Sequence, residues 1–337
     1  MSEIKVGLVG LGRMGKEYAR ILAHQVRHVE LVAVCSISED ELAWARQELS
    51  ITSTYSDYQE LLSHPSLDAV FIVSSTDMHV EQMLQGLEAG LHVFCEKPLA
   101  TSYDQCLSVS QRVKDYPNLT AVVGFVRRFD PSYRYAKEKI EQGAIGHPFW
   151  IRSQTIDKDN IADWMIQYAT KSGGIFHDYN VHDIDLTRWL LGSEFQEVWS
   201  IGGAYKYPAF KDQSDADNVM SAGRLENGSM VVIDASRTAM VGHDTYTEIR
   251  GTLGSLRIGR PAQKNKVEIY DQHGARVEFL ETFWDRFQSA FRLMIQDFID
   301  CIKEGRKPAI TIEDAARATL VAEAFTTSYR EGRLVRL

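Results

Sequence analysis

Apolar strand-like runs alternate with helix-period stretches from residue 4 to about residue 125, and this alternation constrains the fold more than any other feature of the chain. The strand-like runs are short and continuous, at 4–9, 29–34, 69–73, 92–95 and 121–125. Such runs are typical of strands that are buried on both faces of a parallel sheet. The pattern therefore predicts an α/β domain in which a doubly wound parallel sheet carries helices on both faces.

A glycine-rich turn links the first predicted strand to the first predicted helix. Gly10, Gly12 and Gly15 have the spacing G-x-G-x-x-G, and their place between a strand and a helix makes this otherwise weak motif informative. The three glycines permit a tight turn, a close backbone approach to a pyrophosphate, and close packing of helix on strand. The N–H groups at the helix N-terminus favour phosphate. Residues 1–125 are therefore predicted to form a dinucleotide-binding Rossmann domain.

The residue expected to bind the adenosine ribose is not acidic. An Asp or Glu usually stands about 20 residues after the glycines, but this chain has Ser36 near that place. Ser36 can hydrogen-bond a 2′-hydroxyl without repelling a 2′-phosphate, and Arg13 in the glycine turn is long enough to reach such a phosphate. No Arg or Lys follows Ser36 directly, so the sequence favours NAD and leaves NADP open. Ser38 and Glu41 have capping-box spacing at the start of the next helix.

Near residues 145–148 the rhythm changes to longer strand-like stretches. These lie at 149–156, 198–205, 218–225, 229–236, 245–249 and 266–270, and Glu226-Asn227-Gly228 is a strong hairpin signal between two of them. Helix-period stretches cover 177–191, 284–303 and 312–329. Residues 126–337 are therefore predicted to form an α+β domain with a large, mostly antiparallel open sheet, for substrate binding and oligomerisation. The two closing helices are long enough to pack back on the first domain.

Composition excludes several classes of partner. The net charge is -9 and no basic cluster is present, which argues against nucleic acid and against an anionic membrane surface. No apolar run reaches the ~20 residues of a membrane helix, and the chain enters its first strand without an apolar targeting segment. The four cysteines are widely spaced and have no metal-ligand pattern. We expect a reduced, cytoplasmic protein whose sequence does not call for a metal.

Two separate motifs supply chemistry. Cys95-Glu96-Lys97-Pro98 ends an apolar run with a lysine, and the stretch from Gly173 to Asp183 contains Asp178 and His182. Residues four apart share one face of a helix. A cation and a carboxylate–imidazole pair are suited to removing the proton from an alcohol. His177 is a rival base in the same stretch.

These motifs, in this order, resemble those of the Gfo/Idh/MocA family of NAD(P)-dependent sugar and polyol oxidoreductases. The stretches Gly124-Phe125-Val126-Arg127-Arg128-Phe129-Asp130 and Gly251-Thr252-Leu253-Gly254 fit as well, so the resemblance covers nearly the whole chain. Within that family the chain most resembles the inositol dehydrogenases, whose version of this middle motif also has paired arginines followed by an aromatic residue and Asp. The resemblance implies oxidation of a secondary alcohol of a cyclic polyol, scyllo- or myo-inositol, to the 2-keto product.

The resemblance also implies roles for individual residues. Lys97, Asp178 and His182 take the catalytic positions: His182 would accept the hydroxyl proton, Asp178 would orient the ring or bind a hydroxyl, and Lys97 would stabilise alkoxide character. Arg127 is placed beside the substrate or the nicotinamide, whereas Arg128 is as well explained as a surface charge. Predicted cofactor contacts are Gly10, Gly12, Arg13, Met14, Gly15, Ser36, Ser74, Ser75, Thr76, His79, Glu96, Lys97 and Arg127.

Candidate polyol ligands follow from residue type and place. Asp157 ends the first strand of the second domain, and His243 precedes a later strand; for His243 a structural role is about as well supported. Carboxylates and imidazoles suit a substrate with many hydroxyls because they accept or donate to vicinal pairs. The full predicted substrate set is Lys97, Arg127, Asp157, Asp178, His182 and His243.

Other functions remain open from sequence alone. The alternatives are a sugar dehydrogenase of the same family, a non-catalytic dinucleotide sensor, and a redox-neutral relative that uses its nicotinamide transiently. Against the sensor, a protein that only binds the dinucleotide has no need of Lys97, Asp178 and His182 together. The open sheet is expected to expose apolar residues such as Val232, Ile249 and Val267 unless another chain covers them. The resemblance implies a homotetramer built through that sheet.

Overall fold

A six-stranded parallel sheet forms the framework of the N-terminal half in the computed structural model, which describes residues 3–160, 163–169, 171–259 and 263–337. Met1 and Ser2, the start of the segment examined for a targeting sequence, lie outside the described residues. The strand order is β3-β2-β1-β4-β5-β6, and the strands are β1 Ile4–Val9, β2 Val29–Cys35, β3 Ser53–Tyr55, β4 Ala69–Ile72, β5 His92–Cys95 and β6 Ala121–Val123. This is the doubly wound order of dinucleotide-binding domains, which confirms the predicted α/β fold.

Five helices connect these strands: α1 Arg13–His24, α2 Glu39–Leu49, α3 Tyr58–Leu62, α4 Thr76–Glu88 and α5 Tyr103–Arg112. The sequence pattern missed β3, because a strand of three half-buried residues has no apolar run. Helix α4, between the third apolar run and the fourth, begins at Thr76, directly after Ser75.

The first compact unit comprises the residues up to Val126 together with Phe291–Arg317. An aromatic cluster forms much of its core: Tyr18 and Phe94 lie 5.6 Å apart between ring centroids, and Phe298 packs on Phe71 at 5.3 Å. Phe291 lies 5.8 Å from Tyr18. Aromatic pairs in such edge and tilted arrangements stabilise cores beyond simple burial. The C-terminal segment therefore supplies part of the hydrophobic core of the dinucleotide domain.

The second compact unit comprises Arg127–Ala290 and Ala318–Leu337. Its sheet has seven strands in the order β12-β11-β7-β10-β9-β8-β15, and β7 pairs in parallel with β10 while the other neighbours are antiparallel. The strands are β7 Pro148–Lys158, β8 Phe195–Gly203, β9 Asn218–Leu225, β10 Met230–Ala239, β11 Asp244–Gly251, β12 Ser255–Ile258 and β15 Val335–Arg336. The predicted, mostly antiparallel sheet is confirmed, and the hairpin at Gly228 joins β9 to β10 as expected.

The helices of the second half are α6 Pro131–Glu141, α7 Asp163–Ala169, α8 Val181–Leu191, α9 Ala209–Asp212, α10 Phe283–Glu304 and α11 Ile312–Glu331. A single π-helical turn, Phe176–Asn180, precedes α8. Both closing helices are shared, since α10 passes into the first unit at Phe291 and α11 returns to the second at Ala318. In the described part of the chain, no helix combines the length and apolarity needed to cross a membrane.

The apolar side chains exposed on the outer face of the seven-stranded sheet are not the ones that were expected there. Ile249 is fully buried, and Val267 lies in a separate two-stranded ribbon formed by β13 Gln263–Asp271 and β14 Gly274–Phe279. The expectation was therefore wrong for Ile249, because strand alternation alone does not identify which face is covered. Val267 is exposed as expected, but on the ribbon rather than on this sheet. The large apolar side chains that this face does expose are Trp199, Ile201, Met220 and Met230.

Candidate active site

The glycine turn has the geometry that a pyrophosphate requires. Gly10 has φ +90°, and a Cβ there would lie 2.6 Å from the backbone nitrogen of Ser74. A Cβ on Gly15 would lie 1.8 Å from the carbonyl oxygen of Gly10, whereas nothing lies within 4 Å of a Cβ on Gly12. Because Gly12 precedes α1 without a side-chain cap, the helix N-terminus is left for an anion. The residues present therefore fit a dinucleotide cofactor.

Ser36 and Glu41 are connected at the end of β2. The Ser36 hydroxyl donates to Glu41 Oε2 at 2.5 Å and accepts from the Ser38 backbone N–H at 3.1 Å. Ser38 does precede α2, but its side chain makes no capping hydrogen bond. The predicted capping box between Ser38 and Glu41 is therefore wrong, because the Glu41 side chain pairs with the Ser36 hydroxyl instead.

The residues after β4 are held by buried hydrogen bonds. Ser74 donates through its hydroxyl to Gln82 Oε1 at 2.5 Å, and Ser75 stands at the N-terminus of α4, directly before Thr76. The His79 ring is 2% exposed; its Nδ1 lies 2.8 Å from the Pro98 carbonyl and its Nε2 lies 3.0 Å from the Ser74 carbonyl. Burial lowers the pKa of His79, although both carbonyls oppose that effect. His79 thus joins two backbone turns, and its contact with cofactor stays a prediction.

Glu96 is a buried carboxylate at the end of β5. It accepts hydrogen bonds from the Tyr18 hydroxyl and, at 2.8 Å, from the Lys97 backbone N–H. Burial raises the pKa of Glu96, while the Tyr18 hydrogen bond and the charge of Lys97 act in the opposite direction. The Lys97 side chain is half-buried. Glu96 therefore fixes the backbone from which Lys97 extends.

Asp178 and His182 lie in two different kinds of helix. Asp178 belongs to the π-helical turn, and His182 is the second residue of α8. The single α-helix predicted from residue 177 is corrected accordingly: its first turn is π-helical, with i→i+5 hydrogen bonds and more residues per turn than the α-helix assumed for their shared face. Both side chains are half-buried. His177, the rival base, is 3% exposed, and its Nδ1 lies 3.0 Å from the Gly173 carbonyl.

A buried ion pair anchors the start of this turn. Asp215 Oδ1 accepts from the Ile175 backbone N–H at 3.0 Å, and Asp215 Oδ2 accepts from Arg237 at 2.7 Å. Gly174 has φ +79°, and a Cβ there would lie 2.8 Å from the Asp215 carboxylate. The guanidinium of Arg237 also lies over the Tyr179 ring, 5.4 Å from its centroid. Asp215 and Arg237 therefore define where the turn that carries Asp178 begins.

Arg127 and Asp183 form a second buried pair. Arg127 donates to Asp183 Oδ1 at 2.8 Å and to the Thr155 hydroxyl at 2.6 Å, and Ser153 donates to the same carboxylate at 2.6 Å. Arg127 is 4% exposed and Asp183 is fully buried. This network links the start of α8 to β7. It places Arg127 in the interior, so its predicted contact with substrate or cofactor stays a prediction.

Arg128 is buried rather than a surface charge. Its Nε donates to Asp185 at 2.8 Å, a second nitrogen donates to the other carboxylate oxygen, and its guanidinium lies 5.9 Å from the centre of the Trp189 ring. The interpretation of Arg128 as a surface charge is therefore wrong, because the Asp185 carboxylate on α8 compensates the charge of the buried guanidinium.

Asp157 and His243 are hydrogen-bonded to each other. His243 Nδ1 lies 2.6 Å from Asp157 Oδ1, and its Nε2 lies 2.7 Å from the Thr245 hydroxyl. Burial would raise the pKa of Asp157, but hydrogen bonds from His243 and Tyr179 hold it below its ordinary value. Asp157 keeps 29% side-chain exposure while His243 keeps 1%. The more exposed Asp157 is the better placed of the two to meet a ligand, and both assignments stay predictions.

The sequence reasoning missed the charges that position this segment. Asp183 and Asp185 flank Ile184 in a helix whose other residues are mostly buried, and charges in such a helix usually have a buried partner. That signal was available for Asp183 and Asp185. Asp215 and Arg237 come from strands and loops distant in sequence, so pattern alone gives no indication of their pairing. Among the described residues, no group of three His, Cys, Asp or Glu side chains is arranged to hold a metal ion.

Comparison with known proteins identifies the family of both halves of the chain. Residues 4–125 match the family model described as an oxidoreductase family with an NAD-binding Rossmann fold, and residues 137–337 match that family's C-terminal alpha/beta domain. The scyllo-inositol 2-dehydrogenase (NAD(+)) of Bacillus subtilis is 34% identical over 99% of this chain and 96% of its own length. The Myo-inositol 2-dehydrogenase of Thermotoga maritima is 32% identical over 99% and 98%.

Solved structures agree in fold over the whole length. The scyllo-inositol dehydrogenase from Lactobacillus casei with bound NAD(H) and scyllo-inositol has a TM-score of 0.96, with 36% identity over 99% of each chain. The myo-inositol 2-dehydrogenase from Lactobacillus plantarum has a TM-score of 0.97, with 33% identity over 100% of each chain. The resemblance inferred from the motifs is confirmed. The chain belongs to the Gfo/Idh/MocA family of oxidoreductases.

Proposed function

We propose that this protein oxidises a secondary alcohol of inositol to the 2-keto product with NAD as hydride acceptor. The observation that carries the proposal is full-length similarity to proteins named as inositol dehydrogenases, one of them solved with NAD(H) and scyllo-inositol bound. The relatives include both scyllo- and myo-inositol dehydrogenases at similar identity. The proposal therefore covers both isomers, and the substrate panel described below decides between them.

The glycine turn and the N-terminus of α1 would hold the cofactor pyrophosphate. When bound, NAD supplies the acceptor for the hydride that leaves the alcohol carbon. Gly10, Gly12 and Gly15 leave room for the phosphates, and the uncapped helix N-terminus offers N–H donors. Arg13, Met14, Ser36 and Ser74–Thr76 would complete the cofactor surface. In this proposal, residues 1–125 bind the dinucleotide and residues 126–337 bind the polyol.

His182 would accept the hydroxyl proton as the hydride leaves. Imidazole is the side chain best suited to proton transfer near neutral pH. Asp178 would accept a hydrogen bond from a neighbouring hydroxyl or from the ring of His182. Lys97 would stabilise the alkoxide character that develops on the oxygen, and Glu96 supports this role by fixing the Lys97 backbone.

Polyol hydroxyls would be recognised by carboxylate oxygens. Asp157 is supported as a ligand because it is partly exposed and its pKa is held below the ordinary value, so it is an acceptor at neutral pH. His243 would act through Asp157 by orienting its carboxylate. Arg127 would act from the interior by holding Asp183, the residue that follows His182.

A substrate panel tests the proposal. NAD and NADP reduction would be followed at 340 nm with scyllo-inositol, myo-inositol, D-chiro-inositol, D-glucose and D-xylose. We expect a clear rate with NAD and one inositol, and little or none with the two sugars. A sugar as the best substrate would assign the protein to the aldose branch of the family. No reduction with any substrate, while NAD(H) still binds, would contradict the proposed activity.

We also propose a homotetramer assembled through the seven-stranded sheet, in a cytoplasmic enzyme of inositol catabolism. The support is the row of exposed apolar side chains on one face of β8, β9 and β10: Trp199, Ile201, Met220 and Met230. Exposed apolar patches of this kind mark association surfaces. Sedimentation velocity of the full chain should give a species of four chains that Trp199→Glu weakens; a monomeric wild-type protein would contradict it.

A further inference from the structure

The acid that normally discriminates between NAD and NADP is absent from the end of β2, yet a carboxylate reaches that place from the next helix. We propose that Glu41, held by Ser36, is the residue that makes this protein prefer NAD over NADP. The inference rests on the proposed NAD-dependent function and adds to it the residue that sets cofactor choice.

Ser36 is fixed beside the glycine turn. Cys35, the last residue of β2, accepts through its carbonyl from the Gly10 N–H at 2.9 Å. The Ser36 N–H donates to the Tyr55 carbonyl at 3.1 Å, and the side chain is 5% exposed. In dinucleotide-binding domains the residue that follows the second strand, next to this turn, meets the adenosine ribose. Ser36 therefore marks the ribose end of the cofactor site.

The Ser36 hydroxyl is already committed in both directions. It donates to Glu41 Oε2 at 2.5 Å and accepts from the Ser38 N–H at 3.1 Å. The serine thus acts as a bridge that brings the Glu41 carboxylate to the ribose end of the site. Glu41 lies in the first turn of α2, where the helix dipole stabilises a negative charge, and its side chain is half-buried.

A carboxylate in this place discriminates by charge. It accepts a hydrogen bond from the ribose 2′-hydroxyl of NAD, but it repels a 2′-phosphate, which carries about -1.5 to -2 charges at neutral pH. Arg46, on the same helix, is bound to Glu39 and to the Thr54 hydroxyl at 2.8 Å, so it is directed away from this role. Arg13 remains the cation that would favour NADP.

An exposed apolar side chain supports a ligand at the same edge. Ile37 follows Ser36 directly and is 98% exposed, more than any other large apolar side chain in the described residues. A flat aromatic base resting on Ile37 would remove it from water. The ribose of the same nucleotide would then lie beside Ser36 and Glu41.

Equilibrium binding tests this assignment without relying on turnover. The affinities of the full-length protein for NAD and NADP would be measured by calorimetry in the wild type and in Glu41→Gln. Asp40→Asn is the matched control, since it removes an exposed carboxylate from the same helix turn and leaves both Ser36 and the Glu39–Arg46 pair in place. Ser36→Ala is the second variant, because it removes the bridge but leaves the charge.

We expect Glu41→Gln to raise the affinity for NADP relative to NAD by about tenfold, Ser36→Ala to raise it by less, and Asp40→Asn to leave the ratio within about twofold. An unchanged ratio in Glu41→Gln, or an equal change in Asp40→Asn, would overturn the assignment while leaving the NAD-dependent function intact. Failure of the wild type to bind either nucleotide would instead overturn the proposed function and the inference together.

Discussion

The two compact units hold their predicted site residues by different means. In the first unit, His79 and Glu96 are tied to backbone groups of neighbouring turns, at Ser74, Pro98 and Lys97. In the second, the segment with Asp178 and His182 is bordered by three ion pairs that are almost fully buried: Arg127–Asp183, Arg128–Asp185 and Arg237–Asp215. The first unit relies on the regularity of its sheet, and the second relies on side-chain charges.

This difference follows from the local backbone. Parallel strands end together at one edge of a sheet, so the turns that follow β1, β4 and β5 are already close to each other. A π-helical turn is less regular than an α-helix and fixes no such neighbourhood. Breaking a buried ion pair leaves an uncompensated charge, so such pairs tie a segment to one position. The irregular segment therefore requires specific partners that the regular one does not.

The largest effect should come from breaking the Arg127–Asp183 pair. Asp183→Asn removes the charge that compensates a buried guanidinium, and we expect it to lower the free energy of unfolding by about 3–5 kcal/mol. Urea unfolding measures this loss. Glu197→Gln is the control, since Glu197 pairs with the exposed Arg224 and should cost less than about 1 kcal/mol. Equal losses of unfolding free energy in the two variants would show that the buried ion pair stabilises the protein no more than the exposed one.

A smaller effect is expected in the first unit. Tyr18→Phe keeps the aromatic ring in its cluster but removes the hydrogen bond to Glu96, at a cost of about 1.5–3 kcal/mol. Urea unfolding again gives the value, with the exposed Tyr135→Phe as a control expected to change nothing measurable. A loss as large as that of Asp183→Asn would break the distinction between the two units.

The smallest effect is a pH dependence due to His79. Burial holds the pKa of His79 below its ordinary value of 6.5, so below that pH the unfolded chain binds a proton that the folded chain excludes. The contribution of His79 to stability is complete above pH 6.5 and declines as the pH falls, by at most about 1.4 kcal/mol per pH unit.

Unfolding in urea at pH 5.5 and 7.5 would measure this dependence. His79→Gln should reduce the difference between the two pH values, whereas the exposed His147→Gln should leave it as in the wild type. The same difference in His79→Gln and in the wild type would show that this histidine is not the group responsible.

The first unit was predictable from sequence because its information is local. The glycine spacing, the apolar runs and the motif ending at Lys97 each lie within a few residues, and the structure has β1, β2, β4, β5 and β6 where those runs occur. Ser36 shows where local reasoning ends. Its hydroxyl binds the Glu41 carboxylate, which the capping box would have paired with Ser38. No spacing rule tells from the sequence whether Glu41 pairs with Ser36 or with Ser38.

In the second unit the sheet was predictable and the surroundings of the site were not. Alternating polarity and the Gly228 turn identified β9 and β10, but the pairing of Asp215 with Arg237 joins residues from different strands and loops. The π turn has no sequence signal that separates it from the first turn of α8. Such features depend on which charges meet in three dimensions, and a one-dimensional pattern does not contain that information.

The turnover number of His182→Asn with NAD and the preferred inositol tests the central claim most directly, with the affinity for NAD measured on the same preparation. We predict a fall in turnover of about 100-fold or more and an affinity for NAD within about twofold of wild type, because the proton acceptor is lost and the dinucleotide unit is unchanged. The exposed His147→Asn should keep both properties. Turnover close to wild type in His182→Asn would contradict the account.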